Sequence, residues 1–140
     1  MNKATAIHGQ LTSRLSTWAA ARTPKLTVLF EGQPATPPSG TYLREYMRLG
    51  TPRAAGCGNE AKNYVDGFYQ VDVVADPTGW GFVNGIGDEI ATLFNRSKKL
   101  TATGVELTIK SAIPSGIIKN EGDAKIFLPV TINFYVYADV

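Results

Sequence analysis

A chain of 140 residues, 44% apolar and 19% charged, has the make-up of one ordinary globular domain, able to bury roughly two thirds of its unfolded surface without staples. A net charge of +2 is too small to point to nucleic acid or an anionic membrane, and the lone Cys57 excludes an internal disulfide framework. No apolar run approaches the roughly 18 residues of a spanning helix, and Met1 to Ala6 lacks the apolar stretch of a signal peptide, so the expectation is a single soluble domain, residues 1–140, in the cytoplasm of the cell that makes it.

In chain order, Ile7, Leu11, Leu15 and Trp18 recur at helical spacing, with Ala4, Ala19 and Ala20 nearby. This predicts an amphipathic helix over about 3–21, which Pro24 prevents from running on. Trp18 sits on its apolar stripe and is expected in the core, where truncation to alanine costs about 3–5 kcal/mol. Residues 26–31 read as a short strand. The following Gly32 to Gly40 segment holds three prolines and two glycines and reads as a stiff loop.

Residues 41–49 alternate, with Tyr42, Arg44, Tyr46 and Arg48 on one face and Leu43, Glu45, Met47 and Leu49 on the other. Residues 50–63 read as a long polar hairpin loop. Residues 64–75 form the strongest strand pattern. Tyr69, Val71, Val73 and Ala75 make one apolar face, and Phe68, Gln70, Asp72 and Val74 a mixed one. After the turn Asp76-Pro77-Thr78-Gly79, Phe82, Val83, Ile86, Ile90, Leu93 and Phe94 repeat at three and four, predicting a second helix over about 80–96. Gly81, Gly85 and Gly87 each weaken it by about 0.5–1 kcal/mol, and small residues here would let the helix approach the sheet closely.

Residues 100–113 read as a strand with Val105, Leu107 and Ile109 on one face. Residues 114–124 read as a loop. The last strand, 126–137, sets Val130, Ile132, Phe134 and Val136 against Thr131, Asn133, Tyr135 and Tyr137, with Pro129 confined to its start or to an edge. The order α, β, β, β, α, β, β predicts an α+β fold: a single, mostly antiparallel, twisted sheet of four to five strands with two helices packed on one face.

Signs of chemistry are sparse. His8 stands within the first helix, and no serine or acid pattern completes a triad, so it reads as structural or surface. Cys57 has no base other than His8 to activate it. One His and one Cys cannot supply the usual zinc ligands, and Asn120-Glu121-Gly122-Asp123 lacks the twelve-residue calcium ladder. Gly79-Trp80-Gly81-Phe82-Val83-Asn84-Gly85 opens a helix as a dinucleotide loop does, but its third glycine is one residue late and an aromatic stands where a pyrophosphate would approach. Arg96, Lys98 and Lys99 suit a helix C-terminus. Asn95-Arg96-Ser97 matches a glycosylation acceptor that has no meaning without a secretory signal. The chain therefore reads as a non-enzyme with no cofactor and no metal.

The outward strand residues Tyr42, Tyr46, Tyr135 and Tyr137, with Arg44 and Arg48 alternating with the first pair, are of the types enriched at protein interfaces. The alternative is that Tyr42 and Tyr46 turn into the core.

The chain resembles the phage tail terminator (tail completion) family of long-tailed phages. The residues that carry the likeness are Pro38, Gly40, Tyr42, Leu43 and Arg44, then Gly67, Tyr69, Gln70, Val71, Asp72 and Val73, then Pro77, Gly79, Ile90, Leu93 and Phe94, together with Leu15, Trp18 and Ala19. The likeness spans about residues 4–137, and its motifs are turns and strands rather than chemical signatures. It departs at the glycine-rich start of the second helix, where the family usually carries alanine and larger residues.

The resemblance implies a structural virion protein. Six copies would form a ring on the head-proximal end of the tail tube, stop tube polymerisation and present the head-joining surface. The implied partners are the chain itself as a hexamer, the tail tube protein and a head-tail connector, with no membrane and no sequence-specific nucleic acid. Its implied place is the virion, and the host cytoplasm during assembly. The residues expected at the subunit or tail-tube contact are Tyr42, Arg44, Tyr46, Arg48, Arg53, Lys62, Lys119, Tyr135 and Tyr137. Two readings compete: another neck component such as a head-tail adaptor, and a small-ligand-binding α+β domain that uses Gly79 to Gly85.

Overall fold

The computed structural model describes residues 3–33, 36–50, 53–54, 63–95, 99–102, 105–120 and 125–138. Its elements are α1 (Lys3–Ala21), β1 (Thr27–Leu29), β2 (Tyr42–Leu49), β3 (Arg53–Ala54), β4 (Asn63–Ala75), α2 (Trp80–Asn95), β5 (Lys99–Ala102), β6 (Val105–Pro114), β7 (Ile118–Asn120) and β8 (Lys125–Ala138). Past α1 the Thr23–Pro24 bond is cis, and the Leu26 amide donates to the Ala19 carbonyl at 3.2 Å. Gly40, at φ 97°, turns the stiff loop into β2 from a backbone region that side chains disfavour.

The strands form one sheet in the order β1-β2-β4-β8-β6-β5, with β3 added on β4 and β7 on β8. Its spine is the antiparallel pair β4 and β8, in register from Asn63↔Ala138 to Ala75↔Ile126. The α+β expectation holds, with two corrections. First, the sheet is mixed, because β1 runs parallel to β2. A parallel neighbour needs a crossover of about a dozen residues. The segment between Leu29 and Tyr42 provides one, where a plain antiparallel return was expected. Second, the strands outnumber the expected four to five. The stretch 100–113 is a hairpin: Ala102 pairs with Val105, leaving two residues between β5 and β6. Alternation alone does not reveal so short a reversal. The expected loops 50–63 and 114–124 also contribute the short β3 and β7, and much of the first loop lies outside the described residues.

The core lies on one face of the sheet. Tyr69, Val71 and Val73 of β4, Val130, Ile132, Phe134 and Val136 of β8, Leu107 of β6 and Leu43 of β2 line it. Ile7, Leu11, Leu15 and Ala19 of α1 and Val83, Ile86, Ile90 and Phe94 of α2 close over it, so both helices pack on that face. Each Val, Leu, Ile or Phe among them contributes about 1.5–3 kcal/mol when fully buried. Trp18 departs from expectation: it is only partly buried at the rim of this cluster, so its truncation should cost less than a core aromatic.

Two glycines mark close approaches. A Cβ on Gly67 would lie 2.8 Å from both the Arg48 carbonyl oxygen and Phe134 Cζ, so the chain crosses there under an aromatic ring. A Cβ on Gly87 would lie 2.7 Å from Leu128 Cδ2, so this glycine does seat α2 closely on the sheet. Gly81 and Gly85 have nothing within 4 Å of that position and play no such part.

Candidate interaction surface

The opposite face of the sheet carries no helix among the described residues. Register places Tyr42 beside Val74, Arg44 beside Asp72, Tyr46 beside Gln70 and Arg48 beside Phe68. The same row continues to Phe127, Thr131, Asn133, Tyr135 and Tyr137 of β8. Strand alternation thus brings Tyr42, Arg44, Tyr46, Arg48, Tyr135 and Tyr137 onto one surface, away from the core.

These residues are not equally free. Tyr42 is 6% exposed, closed off on this outer face by its neighbours. Arg44 Nη2 donates to Asp72 Oδ2 at 3.0 Å, Gln70 Nε2 donates to Asp72 Oδ1 at 2.9 Å, and the Arg44 guanidinium carbon lies 5.4 Å from the centre of the Phe127 ring. Tyr46 meets Phe68 edge-on at 6.3 Å, under the Arg48 guanidinium at 5.1 Å. Burial, then the Asp72 charge, pushes the Tyr46 phenol above its usual 10.0. Arg48 pairs with Glu31, which also accepts from the Met47 amide at 3.0 Å. Desolvation works against the ionised Glu31, but the Met47 amide and Arg48 outweigh it and hold the carboxyl below its usual 4.5.

At the far end of the face three tyrosines gather. Tyr64 stacks on Tyr135 at 5.6 Å and lies 5.4 Å from Tyr137, and Tyr135 meets Tyr137 edge-on at 5.6 Å. Tyr137 is 38% exposed. Tyr64 Oη donates to Asp66 Oδ1 at 2.7 Å, and Lys110 Nζ reaches the same oxygen at 3.2 Å. Sequence reasoning did not single out Tyr64. The available signal was its parity with Phe68, Gln70 and Asp72 on the same strand. Lys119 is set apart from this group: β7 pairs it with Ile126, on the helix-covered side, where it is exposed without an ion-pair partner. Arg53 lies in β3 opposite Tyr64. Its side chain and Lys62 fall outside the described residues.

Under the helices one charged group is caught in the core. The Glu45 side chain is fully buried and bonds His8 Nε2 at 2.9 Å and the Glu31 amide at 2.9 Å. His8 is thereby a structural partner, edge-on to Tyr69 at 6.3 Å. Burial, then the Glu45 charge, pushes the Tyr69 phenol far up, and its hydroxyl makes no bond of ordinary geometry. Among the described residues no cluster of His, Cys, Asp or Glu could hold a metal ion, and no described helix is long and apolar enough to cross a membrane.

The helical layer offers a second surface. A groove of about 460 Å³ runs between α1 and the β5 side, lined by Arg14, Thr17, Trp18, Leu93 and Leu100 among others. A smaller one, about 280 Å³, is lined by His8, Glu31 and Met47 with Ala4 and Thr5. Neither is lined by residues 79–85, so neither gives the small-ligand reading of that segment a cavity. Trp80 and Phe82 at the start of α2 are 49% and 42% exposed. Arg22 stands 5.7 Å from Trp18, 5.6 Å from Phe82 and 2.6 Å from Glu89, tying the ends of the two helices.

A two-layer α+β subunit with a bare, tyrosine-bearing sheet face and self-neutralised charges has the layout of an assembly module. The chain belongs to the phage tail terminator protein family, whose model matches residues 6–134. Members of that family are structural proteins of the phage tail. One solved chain is 27% identical, with a TM-score of 0.74 over 93% of this chain and 92% of its own. A chain from the virion of a native gene transfer agent particle shares the fold at 15% identity and a TM-score of 0.56, over 99% of this chain and 100% of its own. No curated protein matches the sequence.

Proposed function

We propose that this protein terminates the phage tail: it assembles as a ring, six copies by the family's habit, on the head-proximal end of the tail tube, halts polymerisation and offers the surface that joins the head. The observation that carries this reading is the family match across residues 6–134. The bare sheet face supports it, because Tyr46, Arg48, Tyr135 and Tyr137 stand there as rigid aromatic and guanidinium groups of the kind that anchor protein contacts. The partners are further copies of the chain, the tail tube protein and a connector or neck protein, in the virion and, during assembly, in the host cytoplasm. The bare sheet face is the surface proposed to meet the tube or the next subunit, and Arg53, Lys62 and Lys119 are proposed as further contact residues, Lys119 from the helix-covered side.

Deleting the gene tests the reading. Tails that run beyond uniform length and fail to join heads are the expected result. Tails of normal length that only fail to join would assign the protein to another neck position. Normal, joined tails would overturn the reading altogether.

A further inference from the structure

A ring needs two different patches on each subunit that fit one another across the boundary. The charges of this molecule pick out a pair. Among the described carboxylates, Glu31, Glu45, Asp66, Asp72, Asp76, Glu89 and Glu106 all have a Lys, Arg or His partner. Asp88 has none, and it is exposed on α2. Among the described cations without a partner, Arg14 alone lines the 460 Å³ groove, beside the apolar Trp18, Leu93 and Leu100.

One patch is a groove and the other a ridge. Buried Val83, Ile86, Ile90 and Phe94 face the core, and the opposite side of α2 presents Gly81, Asn84, Gly85, Asp88 and Thr92, all exposed. A Cβ on Gly81 or Gly85 would meet nothing within 4 Å. The ridge is therefore low, at a cost in helix propensity that nothing inside this subunit explains. Trp80 and Phe82, about half exposed, stand at its head as apolar anchors. Leu93 and Asp88 are about 140° apart around the helix, so the chain cannot turn Asp88 into its own groove. A neighbouring copy can.

We infer that the outward ridge of α2 in one subunit docks in the α1–β5 groove of the next, with Asp88 of the first facing Arg14 of the second. This rests on the ring reading and deepens it: the helical layer makes the subunit boundary, which leaves the tyrosine-bearing sheet face for the tail tube or the head. A charge pair of this kind sets register and partner choice more than raw affinity.

The test is charge reversal in the full-length protein, read as copies incorporated on purified tails. Asp88→Arg and Arg14→Asp each place like charges together and should lower ring occupancy at least about tenfold. The double reversal should restore it. Neither residue has a partner within the subunit, so melting temperature serves as a control and should stay near the parent value. A second arm places Asp88→Cys and Arg14→Cys in one Cys57→Ser chain and oxidises assembled tails. A ladder of linked subunits is expected. If parent rings form but the double reversal fails to rescue and no ladder appears, this inference falls and the ring reading stands. If imaging of parent tails shows no ring, both fall.

Discussion

The two faces of the sheet obey the same alternation and reach opposite outcomes. On the helix-covered face a charged residue survives only when fully enclosed by partners: Glu45 holds His8 Nε2 and the Glu31 amide with no exposed surface. On the bare face the pairs are half open, with the Arg44 side chain 42% exposed against an Asp72 at 5%. The covered face carries the stability. The bare face keeps its aromatic and charged groups ordered by neighbours rather than by burial, so they stand ready for a partner at small cost to the fold.

The largest test of this contrast is Phe134→Ala on the covered face, expected to cost about 3–5 kcal/mol by urea denaturation. Breaking the enclosed charge comes next. His8→Ala strands the Glu45 carboxylate and should cost about 3 kcal/mol, the low end for a broken buried pair because His8 itself is partly exposed. Gly67→Ala forces a methyl against a carbonyl and an aromatic ring and should cost about 1–3 kcal/mol. Tyr137→Ala on the bare face should change stability by no more than about 0.5 kcal/mol, while lowering attachment to tails. An equal loss of stability from Tyr137→Ala and Phe134→Ala would erase the contrast.

Acid and alkali sharpen it further. The Tyr69 pKa is raised in the folded state, so its contribution is complete below the unfolded value near 10.0 and fades as pH climbs past it. Tyr69→Phe should flatten that alkaline fall, with stability at neutral pH changed by less than about 1 kcal/mol. The Glu31 pKa is lowered, so its contribution is present above the unfolded value of 4.5 and is lost as pH falls below it. Glu31→Gln should remove that small acid-side slope, seen in melting temperatures between neutral and acid pH.

Periodicity and turn chemistry were enough to read α1, α2, β2, β4 and β8 within a residue or two. Each is long, and its apolar repeat survives uninterrupted. They were also enough to put Tyr42, Arg44, Tyr46 and Arg48 on one face, since parity along a strand is a local property. What escaped was set by distance along the chain. The parallel seating of β1 depends on where a proline-rich crossover returns. The β5–β6 reversal is too short to interrupt alternation. His8 finds Glu45 thirty-seven positions away.

The same division holds for the proposed contacts. The residue types at the surface were legible from composition and spacing. Which cations are already spent was not. Arg44, Arg48 and Lys110 look alike in sequence to Arg14, yet only the fold pairs the first three with carboxylates from other strands and loops and leaves Arg14 over a groove. Sequence by itself determines which elements form and which way their side chains alternate, because those follow from backbone geometry over a few residues. Only the tertiary structure decides which charges are neutralised and which faces stay bare, because that depends on elements brought together from across the chain.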